Sequence, residues 1–599
     1  MSQFSKIIRL IWILFISLEL SVFCSETSVK VALIHWNPSL GELHSNINNL
    51  NVLVEEAFKN NAQIVLTPEL SLSGYSLTKE QALNLAIENP FSELAQMQNL
   101  ASRYQGYVFV GAVEKTEENR LYNSVIMFGP TGSLMTNRKR GTAGWNDRGN
   151  LPVEVIHTPF GSIAVVVCSD TYLPDMSRIA AVKGADVLLV PANWWGNAGQ
   201  EKIWRTRAIE NGIWVMVNNR WGMEIDLRYS ETYTYDMNDA ASVVIDPSGK
   251  INLLYRKKDD DKATGDVILY SDIQINRTNA GAPSSQIYTL SMRNPAAYTS
   301  MRNDYYLKGA GNKIIEDLPI SGKSNIAIAN FSPEAAPENN IKKIENLIKG
   351  STKTIDALVL PALAVTVTLT KFGMEKSFDD DIWYRLKEIV VINKVGLLLT
   401  TINLDLGEGD KEEALIYFLS DGSYDIVRNI HRSSGEAGLV KESKILDLPH
   451  ARIGILSTVD ALFPETHTSL AKRGVDIILI SSDYERTNKF ILDSGYILPQ
   501  LHKECFLDLL MVATHHGFHL AIADSNGSSM LVEDHGGYTL KTHLFSENKL
   551  FEIEVDSESE RFKNLNDYYP FDLDDLLSFI IHIELTDSMG IQALFTHVA

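Results

Sequence analysis

The sequence predicts an α/β protein built in two halves, and three observations carry that reading. Between Val29 and about Asp272, short apolar runs alternate with helical stretches, the pattern of strands joined by covering helices. At 599 residues the chain is too long for one hydrophobic core and divides into two or more domains. The second half then repeats the landmarks of the first at a nearly constant offset, which reads as an internal duplication.

In chain order, Lys6 and Arg9 precede the apolar stretch LIWILFISL, which Glu19 interrupts before SVFCSETS. This reads as a secretory signal peptide over 1–24, with Val22 and Cys24 at the −3 and −1 positions of a cleavage before Ser25. The stretch is shorter than the roughly 20 residues of a spanning helix. Retention as an N-terminal anchor is one alternative. Lipidation of Cys24 is another, disfavoured by bulky Phe23. The expected destination is secreted or periplasmic.

The first domain is placed at 28–276. Its opening elements are the strand VKVALIHW, a helix through NINNLNVLVEEAFKNN, the strand AQIVLTPE, and a helix near PFSELAQMQNLASRYQ. Residues 277–322 are polar and turn-rich with scattered aromatics, and read as a tail running into a linker. The second domain takes 323–599.

Hydrophobic content of 45% is ordinary for a globular chain, whereas the formal net charge of −21 argues against nucleic acid or an anionic membrane surface as a partner. No second apolar segment of spanning length follows, so no stable membrane partner is expected. Removal of the signal leaves Cys168 and Cys505, too few for a disulfide framework. Paired cysteines, HExxH, GxGxxG and a P-loop are all missing, so neither a metal nor a cofactor is expected.

The chemistry centres on Cys168, which closes the apolar run SIAVVV and opens into SDTYLPDMSRIAAVKGA. A thiol where a buried strand turns into a helix faces backbone N–H groups, and a helix N-terminus favours thiolate. A buried free cysteine is also an ordinary small apolar residue, so the neighbours decide. Glu69 ends another apolar run in AQIVLTPELSLSGYSL, and a carboxylate beside a thiol is what general-base activation requires. Lys139, in FGPTGSLMTNRKRGTAG, is the third candidate.

Together PELSLSGY, NRK and VVVCSD resemble the Glu-Lys-Cys signature of the nitrilase, or carbon-nitrogen hydrolase, superfamily. RTRAIENGIWVMVNNRWG (Arg205 to Gly222) and ASVVIDPSGKI (Ala241 to Ile251) are similar to further segments of that family, in the same order. The resemblance implies a four-layer α-β-β-α sandwich, here duplicated in tandem. It also implies hydrolysis of a non-peptide carbon-nitrogen bond, with Cys168 as nucleophile, Glu69 as base, and Lys139 with the Ser169 N–H as oxyanion donors. Ser169, Trp145, Asn193 and Trp194 are the expected substrate-binding residues, and Trp195 and Trp221 lie in or beside the same segments. For any single tryptophan, core packing explains the residue equally well.

The substrate expected is a small linear amide, with a nitrile as the alternative, or no turnover at all in a ligand- or protein-binding pseudoenzyme. Two departures stand out. Ser169 replaces an aromatic residue, and RGTAGWNDRGNLPVEV lacks the family's second glutamate, leaving Asp147 and Glu154 as substitutes.

In the repeat, IDALVLPAL, LSDGSYDIVRN, ARIGILSTVDALFPE and SSMLVEDHG fall under AQIVLTPEL, GPTGSLMTNRK, GSIAVVVCSDTYLPD and ASVVIDPSG. That register sets Ala362 under Glu69, Asn429 under Lys139 and Thr458 under Cys168. The second half thus reads as a degenerate copy that keeps the fold and loses the chemistry. Since members of the family commonly pair two sandwiches across a helical face, the expected assembly is an internal pseudo-dimer, or a homo-oligomer.

Overall fold

A computed structural model describes residues 26–557, except 133, 143, 196–199, 227, 231, 261–264, 277–286, 303–317, 366–367, 371–379, 408–409, 432–441, 494–502, 527–528, 535–539 and 546–547. The proposed signal segment 1–24 lies outside the described residues, as do most of the linker and the final stretch from 558.

Alternation in VKVALIHW sets the first two layers. Val29, Val31 and Leu33 point into one core, while Ala32, Ile34 and Trp36 point into another, as the two-residue period of a strand requires. This strand, Glu26–His35, lies in a six-stranded sheet ordered Val267–Asn276, Glu26–His35, Ile64–Leu66, Tyr107–Lys115, Leu121–Phe128, Leu134–Arg138. A second sheet runs Ile251–Tyr255, Ser242–Ile245, Trp214–Asn218, Val187–Pro191, Gly161–Val165, Val155–Thr158. Their facing side chains, among them Val31, Leu33, Val165 and Met216, belong to one continuous core. The outer face of the first sheet is covered by helices α1 (Leu43–Lys59) and α2 (Ala95–Tyr104), through Leu50, Val54, Met97 and Leu100. The outer face of the second sheet is covered by α3 (Asp175–Val182) and α4 (Glu201–Asn211). The result is the four-layer sandwich.

The second half rebuilds both six-stranded orders and adds a short strand, Thr368–Thr370, parallel to Leu397–Gly407. Its sheets run Lys549–Asp556, Lys323–Asn330, Ala357–Val359, Leu397–Gly407, Asp410–Leu419, Tyr424–Arg428, and Leu540–Leu544, Met530–Asp534, His519–Asp524, Ile477–Ser482, Arg452–Ser457, Ile445–Asp447. Each order matches its counterpart position by position, so the fold is duplicated in tandem.

Helix α3 shows where the halves meet. All eight of its residues are buried, including Asp175, Ser177 and Arg178, which no lone amphipathic surface helix would show. Helix α5 (Pro464–Lys472), its counterpart, is likewise buried over all nine residues. Helix α4 packs on α6 (Lys503–Ala513), and Ile209 and Tyr288 of the first half sit in the outer core of the second. Contacts across this face are reciprocal. Arg178 pairs with Glu465, and at the duplicated positions Thr468 donates to Asp175. That exchange is the mark of a two-fold relation.

The longer described part of the supposed linker, 287–302, is no loose tether. Tyr288, Leu290, Tyr298 and Met301 are buried, and the Pro295–Arg302 turn packs on α5. Polar composition concealed this because its polar groups are spent on buried partners: Asn294 and Tyr298 bond to Ile430 and His431, and Ser300 bonds to Ser469.

Candidate active site

Three strand ends converge on one cavity. Glu69 follows the strand Ile64–Leu66, Lys139 follows Leu134–Arg138, and Cys168 follows Gly161–Val165, opening a single 3-10 turn, Cys168–Thr171. The side chains of all three are buried. Two of these turns hold non-glycine residues in the left-handed region: Leu70 at φ 51° and Cys168 at φ 48°. Such backbone costs on the order of 1–3 kcal/mol and persists where surrounding contacts impose it. Here Gly111 presses against the Glu69 turn so closely that a Cβ would lie 2.2 Å from the Pro68 carbonyl oxygen. Behind Cys168, the Thr171 hydroxyl donates to the Cys168 carbonyl at 2.7 Å.

Glu69 Oε1 accepts from Lys139 Nζ at 2.6 Å and from Asn123 Nδ2 at 2.7 Å, whereas Oε2 is buried without a hydrogen-bond partner in the protein. Burial, followed by the charge of Glu69, raises the Cys168 thiol well above its ordinary range; Lys139 and the Asn193 N–H oppose this without cancelling it. The resting group is therefore a neutral thiol beside a carboxylate, not the preformed thiolate expected at a helix start. Burial alone would lower Lys139, but the charge of Glu69, with that of Asp170 further off, outweighs it and keeps the ammonium charged.

The remaining motif residues set the walls. Asp170 accepts from the Arg140 and Gly141 N–H groups at 2.7 and 2.9 Å, tying the loop after Lys139 to the turn after Cys168. Asn218 donates to the Ile34 and Leu66 carbonyls and clips the two sheets together beneath Glu69. Asn219 accepts from Trp194 N at 2.9 Å, and Arg220 holds Glu224, whose other oxygen receives the Tyr75 and Ser76 N–H groups.

The cavity encloses about 450 Å³. Ser169, Asn193 and Trp194 line it with Cys168 and Lys139. Trp145 does not: it packs with Leu70, Leu77 and Met237 behind the wall, so its role is core packing. Asp147 and Glu154 are exposed and line no part of the cavity, so neither stands in for a second glutamate. Trp221 instead donates to Asp266 at 2.9 Å.

Sequence reasoning missed several walls. Tyr75, Tyr172, Tyr229 and Tyr235 join Trp194 and Trp195, which the sequence had placed in or beside the pocket segments, to make the cavity strongly aromatic, with Arg228 held by Asp226 at its rim. Tyr75 was visible as the last residue of PELSLSGY; Asn123, Arg228 and Tyr235 carried no signal. Among the described residues no group of three or more His, Cys, Asp or Glu side chains is arranged to hold a metal.

The family profile described as carbon-nitrogen hydrolase matches residues 30–281. A nitrilase of Pyrococcus abyssi is 28% identical over 248 residues, which cover 40% of this chain and 90% of that protein. A probable nitrilase of Schizosaccharomyces pombe is 30% identical over 240 residues, covering 37% and 82%. An omega-amidase of Xenopus laevis is 27% identical over 186 residues, covering 28% and 67%. This chain belongs to the carbon-nitrogen hydrolase family of the nitrilase superfamily, enzymes that act on carbon-nitrogen bonds other than peptide bonds.

Proposed function

We propose that the protein hydrolyses a small linear amide through a thioester on Cys168. The observation that carries this reading is Glu69: one carboxylate oxygen is fixed by Lys139 and Asn123, and the other is buried, unpartnered and free to take a proton. Cys168 attacks the amide carbon as its proton passes to Glu69 Oε2, forming the C–S bond and a tetrahedral oxyanion. Lys139 Nζ and the Ser169 N–H carry that charge, each such donor lowering the barrier by about 3 kcal/mol. Glu69 returns the proton to the leaving nitrogen as the C–N bond breaks. A water then gives its proton to Glu69 and attacks the thioester, and the sulfur recovers a proton as the acid leaves.

One carboxylate passing one proton per half-reaction matches amide cleavage. An amide consumes one water, whereas a nitrile consumes two, one added to the thioimidate before its nitrogen can leave as ammonia and one to hydrolyse the thioester; the simpler demand favours the amide as substrate. Thr458 and Ala362 offer no thiol and no base, so the second half is read as a non-catalytic copy that takes the place of a partner subunit, an internal pseudo-dimer. Secretion is part of the same proposal: cleavage before Ser25 leaves the first strand whole, since its pairing starts at Glu26. N-terminal sequencing of protein exported by its native host tests that point, with Ser25 first as the expected result.

The functional reading is tested by intact-mass labelling with a small thiol electrophile at neutral pH, followed by ammonia release from short amides and nitriles. One adduct at Cys168, formed faster than on a free thiol because Glu69 takes the proton as the sulfur attacks, and slowed in Glu69→Gln despite the lower thiol pKa of that variant, is expected. Labelling at a free-thiol rate, indifferent to Glu69→Gln, overturns the reading.

A further inference from the structure

Behind the nucleophile turn stands a buried chain of charged groups that the hydrolytic steps do not use. Arg207 of α4 donates to the Thr171 and Tyr172 carbonyls at 3.0 and 3.2 Å, gripping the turn that Cys168 opens, and it pairs with Glu210. Arg178 of α3 donates to the Glu210 carbonyl at 2.8 Å and to Asn211 Oδ1 at 3.2 Å, locking the end of α4. Arg178 is in turn held by Glu465 of the second half, Nε to Oε1 at 2.8 Å and Nη2 to Oε2 at 3.3 Å, and Arg293 donates to the same Oε1 at 2.5 Å. Every one of these side chains is nine-tenths buried or more. Three guanidiniums thus face two carboxylates, Glu210 and Glu465, and the one that neutralises two of the arginines comes from across the interface. A second link is shorter: the Tyr172 ring, a cavity wall, meets the ring of His515 edge-on at 5.0 Å, and His515 also belongs to the second half.

We propose that the second half supplies positioning residues for the first half's active site, Glu465 through Arg178 and α4 to the Cys168 turn, and His515 directly against Tyr172. This rests on the reading of Cys168 as nucleophile. The physical reason is that Cys168 occupies a strained backbone well which its surroundings must impose, and those surroundings are gripped by groups anchored in the second half. A displacement of about 1 Å at a reacting atom is enough to lower a rate by up to 10²-fold.

The test compares full-length wild type, Glu465→Gln, His515→Leu and Leu470→Ala, the last a core truncation on α5 that faces the strand Arg452–Ser457 and removes no ion pair. Three quantities are read: the rate of Cys168 alkylation by iodoacetamide, kcat and KM for the best amide, and the melting temperature. Glu465→Gln is expected to slow alkylation and kcat on the order of tenfold with little change in KM. His515→Leu, which leaves the ion pairs intact, is expected to raise KM severalfold. Leu470→Ala is expected to melt lower and to alkylate at the wild-type rate. Wild-type alkylation and kinetics in both Glu465→Gln and His515→Leu overturn the proposal. So do losses that Leu470→Ala reproduces at equal melting temperature. If Glu465→Gln does not fold, His515→Leu decides alone. A wild-type Cys168 that reacts no faster than a free thiol instead defeats the functional reading on which the proposal stands.

Discussion

At the scale of single residues, the site is an economy of one sulfur, one free carboxylate oxygen and one buried ammonium. Removing the sulfur in Cys168→Ser is expected to abolish turnover, and Glu69→Gln to lower kcat by 10²–10⁴-fold, the range of a general base, both by ammonia release. Lys139→Met removes an oxyanion donor, with an expected loss of about 10²–10³-fold in kcat. Glu69 also raises the Cys168 pKa by its charge, so Glu69→Gln lowers that pKa while it lowers turnover. The pH dependence of alkylation reads the first effect and steady-state rates the second; a thiol that titrates higher in Glu69→Gln contradicts the geometry. The strand-end positions of Glu69 and Cys168 were legible in the sequence because each closes an apolar run, and a charge or thiol there has few places to go but the end of a strand; Lys139 closes the mixed run LMTNRK and was legible only through the family resemblance. Trp145 was misplaced because a tryptophan beside a catalytic lysine reads the same from sequence whether it faces the cavity or the core behind it. Asn123 was invisible because its partner is reached only through pairing of strands distant in sequence.

At the scale of elements, the duplication shows which parts of the turn geometry belong to the fold and which to the chemistry. Leu363 keeps the left-handed φ of Leu70, at 53°, and the Asp483 N–H bonds Thr458 Oγ1 at 3.1 Å, where the Asn193 N–H meets Cys168. Thr458, however, begins a regular helical turn, Thr458–Ala461, capped by the Ser457 hydroxyl, and the strain found at Cys168 is gone. Where Asn123 supports Glu69, the matching strand position holds Glu413, whose pKa burial pushes up to about 7 despite the nearby charge of Arg486. A carboxylate is thus present without a thiol, and Thr458→Ala is expected to leave hydrolysis unchanged. Gly111→Ala, in contrast, forces a Cβ into the Pro68–Glu69 backbone and is expected to cost about 1–3 kcal/mol of stability and much of kcat. Thermal unfolding and ammonia release check both variants. The register of the repeat could be read in advance from Pro361, Gly422 and Asp460, since residues at strand ends and turns survive when side-chain chemistry is lost; Gly536, the fourth landmark, lies outside the described residues. The strap 287–302 could not, because its burial depends on a surface created only when both halves are folded.

At the scale of the whole molecule, the interface between halves couples stability to pH. Burial alone would raise Glu465, yet the charges of Arg178 and Arg293 outweigh it and hold the carboxyl at about 2 instead of its ordinary 4.5. Its contribution is therefore complete above pH 4.5 and is lost as the pH falls toward 2, on the order of 3 kcal/mol in all. Burial also holds His467 neutral down to about pH 4, while an unfolded histidine takes up its proton below 6.5, so its contribution fades between pH 6.5 and 4. Both act in the same direction. The melting temperature is expected to fall steadily from pH 7 to 3, and Glu465→Gln to flatten the part below 4.5; a curve unchanged by that substitution contradicts the role given to the ion pair. The broad division into halves was legible from length and repeat alone, whereas the charged bridge was not, because Arg178 and Glu465 lie far apart in sequence and meet only when α3 and α5 face each other. The central claim, that Cys168 breaks an amide C–N bond through a thioester, is tested most directly by acid-quenching the enzyme during turnover of a short amide and weighing the Cys168 peptide. An acyl adduct on Cys168, with ammonia released and both lost in Cys168→Ser, is the predicted result; ammonia release that persists in Cys168→Ser, or turnover with no adduct under any quench, contradicts it.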